Sequence, residues 1–330
     1  MKEIISKAFD NQLCWLITGG CGFIGTSLIK NLVSEGGHTI RVLDNLSVGT
    51  RQDLAKVCDF SSLNSHCELV VGDIKNYETC LNCCQGIDIV VHLAANTGVG
   101  PSVEDPKKDM KTNVFGTCNM LEAARKNSVK RFVFASSGAP VGECNPPIHE
   151  ELPCHPVSPY GASKLAGKGY CSAYYRTFGV ETVALRFGNV YEPGSSRKNS
   201  VIAKFIKQAM QGETLEIYGD GKQTRDFIYI DDLIQAIRLS ATVEGIGGHV
   251  FQIATNHETT VLEMTNKLLS VLSEFGYKNV TVEHGDARVG DVRRNFSDTT
   301  KALQMLGWRN EIDLKTGIKN TVKWFLVENS

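Results

Sequence analysis

The chain lacks any long apolar run. Nothing in its 330 residues approaches the ~18 consecutive apolar side chains that a membrane-spanning helix needs. The stretch from Met1 to Asp10, broken by Glu3, Lys7 and Asp10, has no apolar core of signal-peptide length. The expectation is a soluble, cytoplasmic protein with no membrane partner. The chain also lacks a charge excess: 35 Lys and Arg stand against 36 Asp and Glu. Nucleic-acid-binding domains concentrate a basic surplus on one face, so no nucleic-acid partner is expected. A small anionic ligand stays open, because a few well-placed arginines suffice to hold one. Beyond Cys171 there is no cysteine at all; the eleven present, an odd number, lie between Cys14 and Cys171. That is not the framework of a short, disulfide-stapled secreted domain. Cys80, Cys83 and Cys84 fall at i, i+3 and i+4, one face of a helix, where thiols pack as small hydrophobes. No second cysteine pair or nearby histidine completes a zinc set, and no metal is expected.

What is there reads first as rhythm. Cys14–Thr18, Thr39–Leu43, Cys67–Val71, Ile87–Val91, Arg131–Ala135 and Glu181–Leu185 are short β-rich runs, mostly continuous rather than alternating, as strands buried on both faces read. Helical patterns fall between them at Phe23–Ser34, Tyr77–Cys84, Lys107–Lys126 and Ser158–Phe178. This β-α-β-α order predicts an α/β fold, a Rossmann-type doubly wound parallel sheet. After residue 186 the rhythm loosens. Turn signals at Glu192-Pro193-Gly194 and Gly219-Asp220-Gly221 separate short strands (Leu215–Tyr218, His249–Ile253) from helices (Ser200–Gln211, Asp231–Ala241, Thr260–Phe275). The expected organisation is a dinucleotide-binding domain over 1–186 and a smaller α/β substrate lobe over 187–330, partly interleaved with the first.

The strongest local motif is Thr18-Gly19-Gly20-Cys21-Gly22-Phe23-Ile24-Gly25, which follows an apolar strand and opens an amphipathic helix. Glycines there let the backbone turn tightly and approach a pyrophosphate, while the helix N-terminus offers N–H donors and the positive end of its dipole. Asp44 ends the second strand about twenty residues further on, where a carboxylate accepts both hydroxyls of an adenosine ribose and repels a 2′-phosphate, favouring NAD over NADP. Asp73 closes the third strand in Gly72-Asp73-Ile74, in reach of an adenine amine. The fourth runs into His92-Leu93-Ala94-Ala95, whose alanines leave room for the dinucleotide.

A second constellation is Tyr160-Gly161-Ala162-Ser163-Lys164, preceded by Ser136-Ser137 at the end of the fifth strand. Tyrosine and lysine four apart share a helix face. An ammonium beside a phenol favours phenolate and is expected to lower the Tyr160 pKa toward neutrality. The phenolate then takes a proton from a sugar hydroxyl as hydride leaves the same carbon, with Ser137 holding the substrate oxygen. The expected catalytic residues are Ser137, Tyr160 and Lys164.

Over nearly its whole length the chain resembles the extended short-chain dehydrogenase/reductase superfamily, and within it the nucleotide-sugar epimerases and dehydratases. The resemblance rests on Gly19/Gly22/Gly25, on Asp44-Asn45-Leu46-Ser47 with Gly49, on Asp73-Ile74 and on Ser137/Tyr160/Lys164. In the second lobe it continues through Arg186-Phe187-Gly188-Asn189-Val190-Tyr191, Gly219 to Phe227, and Arg288-Val289-Gly290-Asp291. It implies NAD held by Gly19, Gly22, Phe23, Ile24, Gly25, Asp44, Asn45, Ser47, Gly49, Asp73, Ile74, Leu93, Ala94, Ala95, Tyr160 and Lys164. It implies a nucleotide-diphosphate ligand, usually a UDP-sugar, met by Thr97, Ser137, Asn189, Val201, Tyr218, Arg225, Arg288, Asp291 and Asn295. Physically, Arg225 and Arg288 can clamp a diphosphate by charge-assisted bonds, Asn189 can donate to a phosphate oxygen, and the Tyr218 ring can pack near a base or equally within the core. Related enzymes often dimerise through the helices found here at Lys107–Lys126 and Ser158–Phe178, which makes a homodimer the expectation.

A dehydratase of this family would carry an Asp-Glu or Asp-Lys pair just after the catalytic hydroxyl residue, and a UDP-glucuronate decarboxylase a Thr-Ser-Glu pattern. Here Ser137-Gly138-Ala139-Pro140 offers neither acid nor base. By elimination the resemblance implies a 4-epimerase, which oxidises the C4 hydroxyl, lets the 4-keto sugar rotate and returns hydride to the opposite face. The motif departs from the epimerase pattern where Val-Tyr-Gly becomes Pro140-Val141-Gly142, a lost aromatic that would reshape the sugar pocket. By the same resemblance, Asn295, seven residues after Arg288, stands at the position that limits bulk at the sugar C2; being small, it is expected to favour an N-acetylhexosamine. Arg293-Arg294 could accept a uronate carboxylate or lie solvated. A dehydratase-like step, a UDP-uronate epimerase and a non-catalytic nucleotide-binding protein stay open as alternatives.

Overall fold

The continuous apolar runs of the first half become buried strands in the computed structural model, which describes residues 12–60, 66–193, 200–287 and 292–328. Strands β1 (Cys14–Thr18), β2 (Thr39–Asp44), β3 (Cys67–Val71), β4 (Ile89–His92), β5 (Arg131–Ser137) and β6 (Thr182–Phe187) join Val250–Ile253 in one sheet. Its order is Val250–Ile253, β6, β5, β4, β1, β2, β3. The pairs β1–β2, β1–β4, β2–β3 and β4–β5 are parallel. The sheet is a Rossmann-like parallel sheet flanked by helices. Strand order reverses beside β1, the switch point at which such sheets open a crevice for ligands. Register aligns the strand ends there: Thr18 pairs with Leu43 and His92, and Asp44 with Val71.

The chain divides into two compact units. The first comprises Met1–Glu143, Leu152–Arg186 and Ile234–Phe251 and carries nearly all of the sheet. Its helices include α1 (Phe23–Glu35), α2 (Arg51–Ala55), α3 (Tyr77–Cys83), α4 (Val99–Glu104), α5 (Pro106–Met110), α6 (Gly116–Lys126) and α7 (Pro159–Phe178), and residues 234–242 of a further helix, Ile230–Thr242, belong to it as well. Cys80, Cys83 and Cys84 are buried in one cluster with Leu121 and Met120, as their helical spacing implies. Helix α7 is defined at both ends. Ser158 caps it by accepting from Gly161 N, Pro159 supplies the first turn, and Gly179 closes it at φ 70°.

One expected element is not continuous. The helix read over Lys107–Lys126 splits into α5, a π-helical turn at Lys111–Phe115, and α6. The wide turn accompanies the side chain of Asn113, which is buried and bonded to the backbone of Asn96 at both its oxygen and its nitrogen. Such π-bulges interrupt α-helices frequently at functional sites.

The second unit comprises Cys144–Glu151, Phe187–Leu233 and Gln252–Ser330. Among its described residues three two-stranded sheets accompany its helices. Asn189–Tyr191 pairs parallel with Phe227–Tyr229, Leu215–Tyr218 parallel with Val282–Gly285, and Thr224–Arg225 antiparallel with Thr259–Thr260. Buried Asp226 ties three segments together by accepting from Thr255 N at 2.7 Å, from the Thr255 hydroxyl and from Ser297 N at 3.1 Å. Burial pushes its pKa up against these bonds.

Candidate active site

The glycine loop is shaped by contacts that tolerate no side chain. Gly19 has φ +69°, and a Cβ there would lie 2.8 Å from Ala94 N. One on Gly25 would lie 2.5 Å from Gly20 Cα, so α1 presses directly onto the end of β1. On Gly49 it would meet Cys21 O at 2.0 Å, which packs the segment after β2 against the loop. Gly22 is different: a Cβ there would approach only Gly19 O, at 3.2 Å. Gly22 is also the N-cap of α1, with no side-chain cap bond and no acidic residue in the first turn. The helix therefore opens without a side-chain cap, beside backbone with space next to it, which is the arrangement that can receive a phosphate.

Asp44 is buried at the end of β2. Its Oδ2 accepts from Cys21 N at 2.9 Å and its Oδ1 from Leu46 N at 2.8 Å. Each carboxylate oxygen keeps capacity for a further bond, as two ribose hydroxyls require. Asn45 donates to Asp73 Oδ2 at 3.1 Å and accepts from Ser47 N, joining the ends of β2 and β3 in one polar rim. Ile74 is buried, Phe23, Ile24, Leu93, Ala94 and Ala95 are half-buried, and Ser47 and Thr97 are exposed.

Helix α7 brings Tyr160 and Lys164 to the end of β5. Its approach depends on Gly167, where a Cβ would lie 2.5 Å from the Phe134 ring. Lys164 is buried and donates from Nζ to Ala135 O at 2.8 Å, with the Phe134 ring centroid 5.0 Å away. Burial pushes the ammonium pKa down to about 8, with Asp109 opposing. Tyr160 hydrogen-bonds the Ser137 side chain, whose Oγ accepts from Ala139 N at 3.1 Å. The expected depression of the phenol is not what this geometry produces. Burial raises the Tyr160 pKa, Asp109 adds to that, and Ser137 opposes it. The Lys164 ammonium, turned onto Ala135 O, stands 6.0 Å from the Tyr160 ring centroid.

The turn after Ser137 carries no acid or base, and Val141 points away from solvent with 1% exposure. A Cβ on Gly142 would lie 2.0 Å from His155 O, so this segment is packed against its own unit. The residue standing where an aromatic was expected is thus a core side chain.

Sequence reasoning missed the polar layer beneath Tyr160 and Lys164. Asn113 Nδ2 lies 3.0 Å from Asp109 Oδ1 and 3.1 Å from Ser163 Oγ, and Ser163 donates to Tyr160 O at 3.0 Å. A signal existed. Asp109, Asn113 and Thr117 recur every fourth residue on a stripe that continues into Met120, Leu121 and Ala124, so polar groups occupy positions that spacing assigns to the core.

In the second unit Arg225 donates from Nη1 to Thr224 O at 2.7 Å and Val292 O at 2.8 Å, anchoring the chain that follows residue 291. Arg288 and Asp291 lie outside the described residues. Asn189 is exposed at a strand start, while Val201, Tyr218 and Asn295 are half-buried. Lys204 Nζ lies 5.2 Å from the Tyr218 ring centroid, and Asn295 N donates to Thr224 Oγ1 at 3.0 Å. Arg293 and Arg294 are each engaged bidentately, Arg293 with Asp220 and Arg294 with Glu258.

A Rossmann-like sheet with a glycine cradle, a strand-end Asp and a Ser-Tyr-Lys set defines a nicotinamide-dependent enzyme of the short-chain dehydrogenase/reductase kind. Residues 15–254 match the model of the NAD dependent epimerase/dehydratase family, and the chain belongs to that family. A UDP-glucose 4-epimerase of Mycolicibacterium smegmatis is 35% identical over 316 residues, covering 94% of this chain and 97% of that one. Among solved structures, the UDP-glucose 4-epimerase of Thermotoga maritima with UDP-glucose superposes with a TM-score of 0.87 at 33% identity, over 96% of this chain and 100% of that one. The UDP-N-acetylglucosamine 4-epimerase of Methanobrevibacter ruminantium M1, in complex with UDP-N-acetylmuramic acid, also superposes with a TM-score of 0.87, at 29% identity over 96% and 99% of the two chains. Relatives further include a UDP-glucuronate 4-epimerase and a dTDP-glucose 4,6-dehydratase.

The family's cofactor is NAD, and the residues present fit it. The uncapped helix end at Gly22 suits the pyrophosphate and buried Asp44 the ribose diol, while the close approach of Gly19 to Ala94 keeps the cradle open only to backbone. Among the described residues no helix is long and apolar enough to cross a membrane.

Proposed function

We propose that this protein is an NAD-dependent 4-epimerase of a UDP-sugar, of the UDP-N-acetylglucosamine/UDP-N-acetylgalactosamine type. The observation that carries this is the Ser137–Tyr160–Lys164 set at the end of β5, followed by a turn with no second acid or base. Bound NAD supplies the acceptor and donor of hydride. The protein's part is proton handling and orientation. Ser137 holds the C4 oxygen, Tyr160 takes its proton and later returns it, and Lys164, bonded to Ala135 O, seats the start of α7 at the end of β5. With no side chain after Ser137 to move protons at C5 or C6, the 4-keto sugar has only re-reduction open to it, and rotation before re-reduction inverts C4. The first unit is then the NAD-binding domain and the second the nucleotide-sugar lobe, with Asn189, Val201, Tyr218, Arg225, Arg288 and Asp291 toward the nucleotide diphosphate.

For the sugar, short Asn295 leaves space for a C2 N-acetyl group. Arg293 and Arg294, whose guanidinium groups already face Asp220 and Glu258, make poor receptors for a uronate carboxylate. We further propose a cytoplasmic homodimer. Val99, Val103, Met110, Phe115, Tyr170 and Phe178 remain exposed on α4, α5, the π turn and α7 and support such an interface.

The test is incubation of the purified protein with UDP-N-acetylglucosamine, UDP-glucose and UDP-glucuronate separately, followed by NMR of the sugars. Conversion of the first to its C4 epimer is expected. A deoxy or accumulating 4-keto product would replace the epimerase reading with a dehydratase-like one.

A further inference from the structure

Asp109 is a carboxylate in an unusual place. It sits on α5 with 1% of its surface exposed, and carboxylates are almost never so buried unless paired. Its Oδ1 accepts from Asn113 Nδ2 at 3.0 Å, while its equally buried Oδ2 has no hydrogen-bond partner. The charged residues flanking it in sequence (Glu104, Asp105, Lys107, Lys108 and Lys111) are all exposed and leave it to groups on other elements. Those groups are the Tyr160 phenol and the Lys164 ammonium on α7. Lys164 in turn is faced by Asp109 from α5, by His92 from β4 and by Cys171 along α7. His92 is held neutral, its pKa pushed down to about 3 by burial and by Lys164 itself, and burial keeps Cys171 a thiol. Among the described groups acting on Lys164, Asp109 is the one carboxylate.

A sealed carboxylate with an unused oxygen is costly without a compensating charge, and a buried ammonium is costly for the same reason. We propose that Asp109 is a positioning residue for the Tyr160–Lys164 pair: its buried carboxylate keeps the Lys164 ammonium charged and, through Asn113 and Ser163, fastens the first turn of α7 that carries Tyr160. This deepens the reading of Tyr160 and Lys164 as the proton-handling pair and rests on it. The same negative charge resists formation of the Tyr160 phenolate. Asp109 therefore places the working range of the pair at higher pH than Tyr160 and Lys164 would have without it.

The experiment is Asp109→Asn, which keeps an acceptor for Asn113 and removes only the charge. In protein carrying lysine labelled with carbon-13 at Cε, the Lys164 resonance, identified by its loss in Lys164→Met, titrates with a midpoint of about 8. In Asp109→Asn that midpoint falls by about one unit or more, the usual effect of a close opposite charge, and an unchanged midpoint overturns the proposal. The kcat/KM profile on the UDP-sugar moves to lower pH at both limbs, whereas a lower plateau with unmoved limbs marks a merely structural residue and also overturns it. If Asp109→Asn does not fold, the carboxyl carbon of Asp109 in the wild type must show a step at the Lys164 midpoint, and a flat trace there overturns the proposal. The lysine titration needs no turnover, so a failed substrate assignment leaves this test intact and separately readable.

Discussion

His92 Nε2 lies 3.1 Å from Thr117 Oγ1, and the hydroxyl proton of Thr117 is already directed to Asn113 O at 2.7 Å. Thr117 can therefore only accept from the imidazole, which assigns the proton to Nε2. On the other side Nδ1 lies 2.7 Å from Thr18 Oγ1, which accepts from Ala94 N at 3.1 Å. Nδ1 then accepts the Thr18 hydroxyl. One histidine thus links the end of β1, through Thr117, to the π turn that carries Asn113.

The burial of His92 sets a pH dependence. The folded-state pKa of His92 is lowered from 6.5 to about 3, chiefly by burial. Between those values the unfolded chain binds a proton that the folded one refuses, so stability is full above about pH 6.5 and declines as pH falls toward 3. The contribution has a limiting slope of about 1.4 kcal/mol per pH unit. Urea unfolding of wild type and His92→Gln at several pH values between 7 and 4 checks this. The variant is less stable at pH 7 but loses stability less steeply on acidification; parallel slopes would contradict the assignment.

The two glycines of the cradle separate folding from cofactor binding. Gly25→Ala places a methyl group 2.5 Å from the Gly20 backbone, so the loop must shift, at a cost of about 1–3 kcal/mol in stability. Gly22→Ala meets only one carbonyl at 3.2 Å and leaves the melting temperature within a few degrees of wild type. It nevertheless weakens NAD, because the added methyl stands where the pyrophosphate approaches the helix end. Thermal melts with and without NAD distinguish the two. Equal stability losses in both variants would refute the division.

Gly167 controls the seat of α7. A side chain there strikes the Phe134 ring at 2.5 Å and lifts the helix from β5, withdrawing Lys164 from Ala135 O. Gly167→Ala is expected to lower kcat by about tenfold or more, since small misplacements of catalytic groups are costly. Phe134→Leu in the same chain is expected to restore much of it by opening space. A double variant no better than Gly167→Ala would show that the contact is not the cause.

The catalytic hydroxyl is tested by Tyr160→Phe. Loss of general acid–base action lowers turnover by about 10²–10⁴-fold. NAD affinity, measured by calorimetry, stays within a few-fold, because the ring remains and only the hydroxyl is removed. Unchanged turnover would remove Tyr160 from the mechanism.

How much of this was legible in the sequence depends on whether a residue acts through local spacing or through tertiary contact. Gly19, Gly22 and Gly25, Asp44, and Tyr160 with Lys164 are readable because one strand, one turn or one helix face sets their geometry. Asp109 and Asn113 hid inside an apparently regular helix, since the π turn at Lys111–Phe115 accompanies bonds from Asn113 to Asn96 on a separate segment. The upward push on the Tyr160 pKa was likewise invisible. Spacing places Lys164 on the same face, but not its turn onto the Ala135 carbonyl. The burial of Val141 and the pairing of Arg293 and Arg294 with Asp220 and Glu258 depend on partners distant in the chain.

The central claim is that hydrogen leaves C4 of a UDP-sugar and returns to the same carbon on the opposite face. UDP-N-acetylglucosamine carrying deuterium at C4, incubated with the protein in ordinary water, tests this most directly. The account predicts UDP-N-acetylgalactosamine with the deuterium still at C4, because the carbon-bound hydrogen never reaches solvent. An epimerised product in which deuterium has been replaced from water, or a deoxy sugar with no epimer formed, would contradict it.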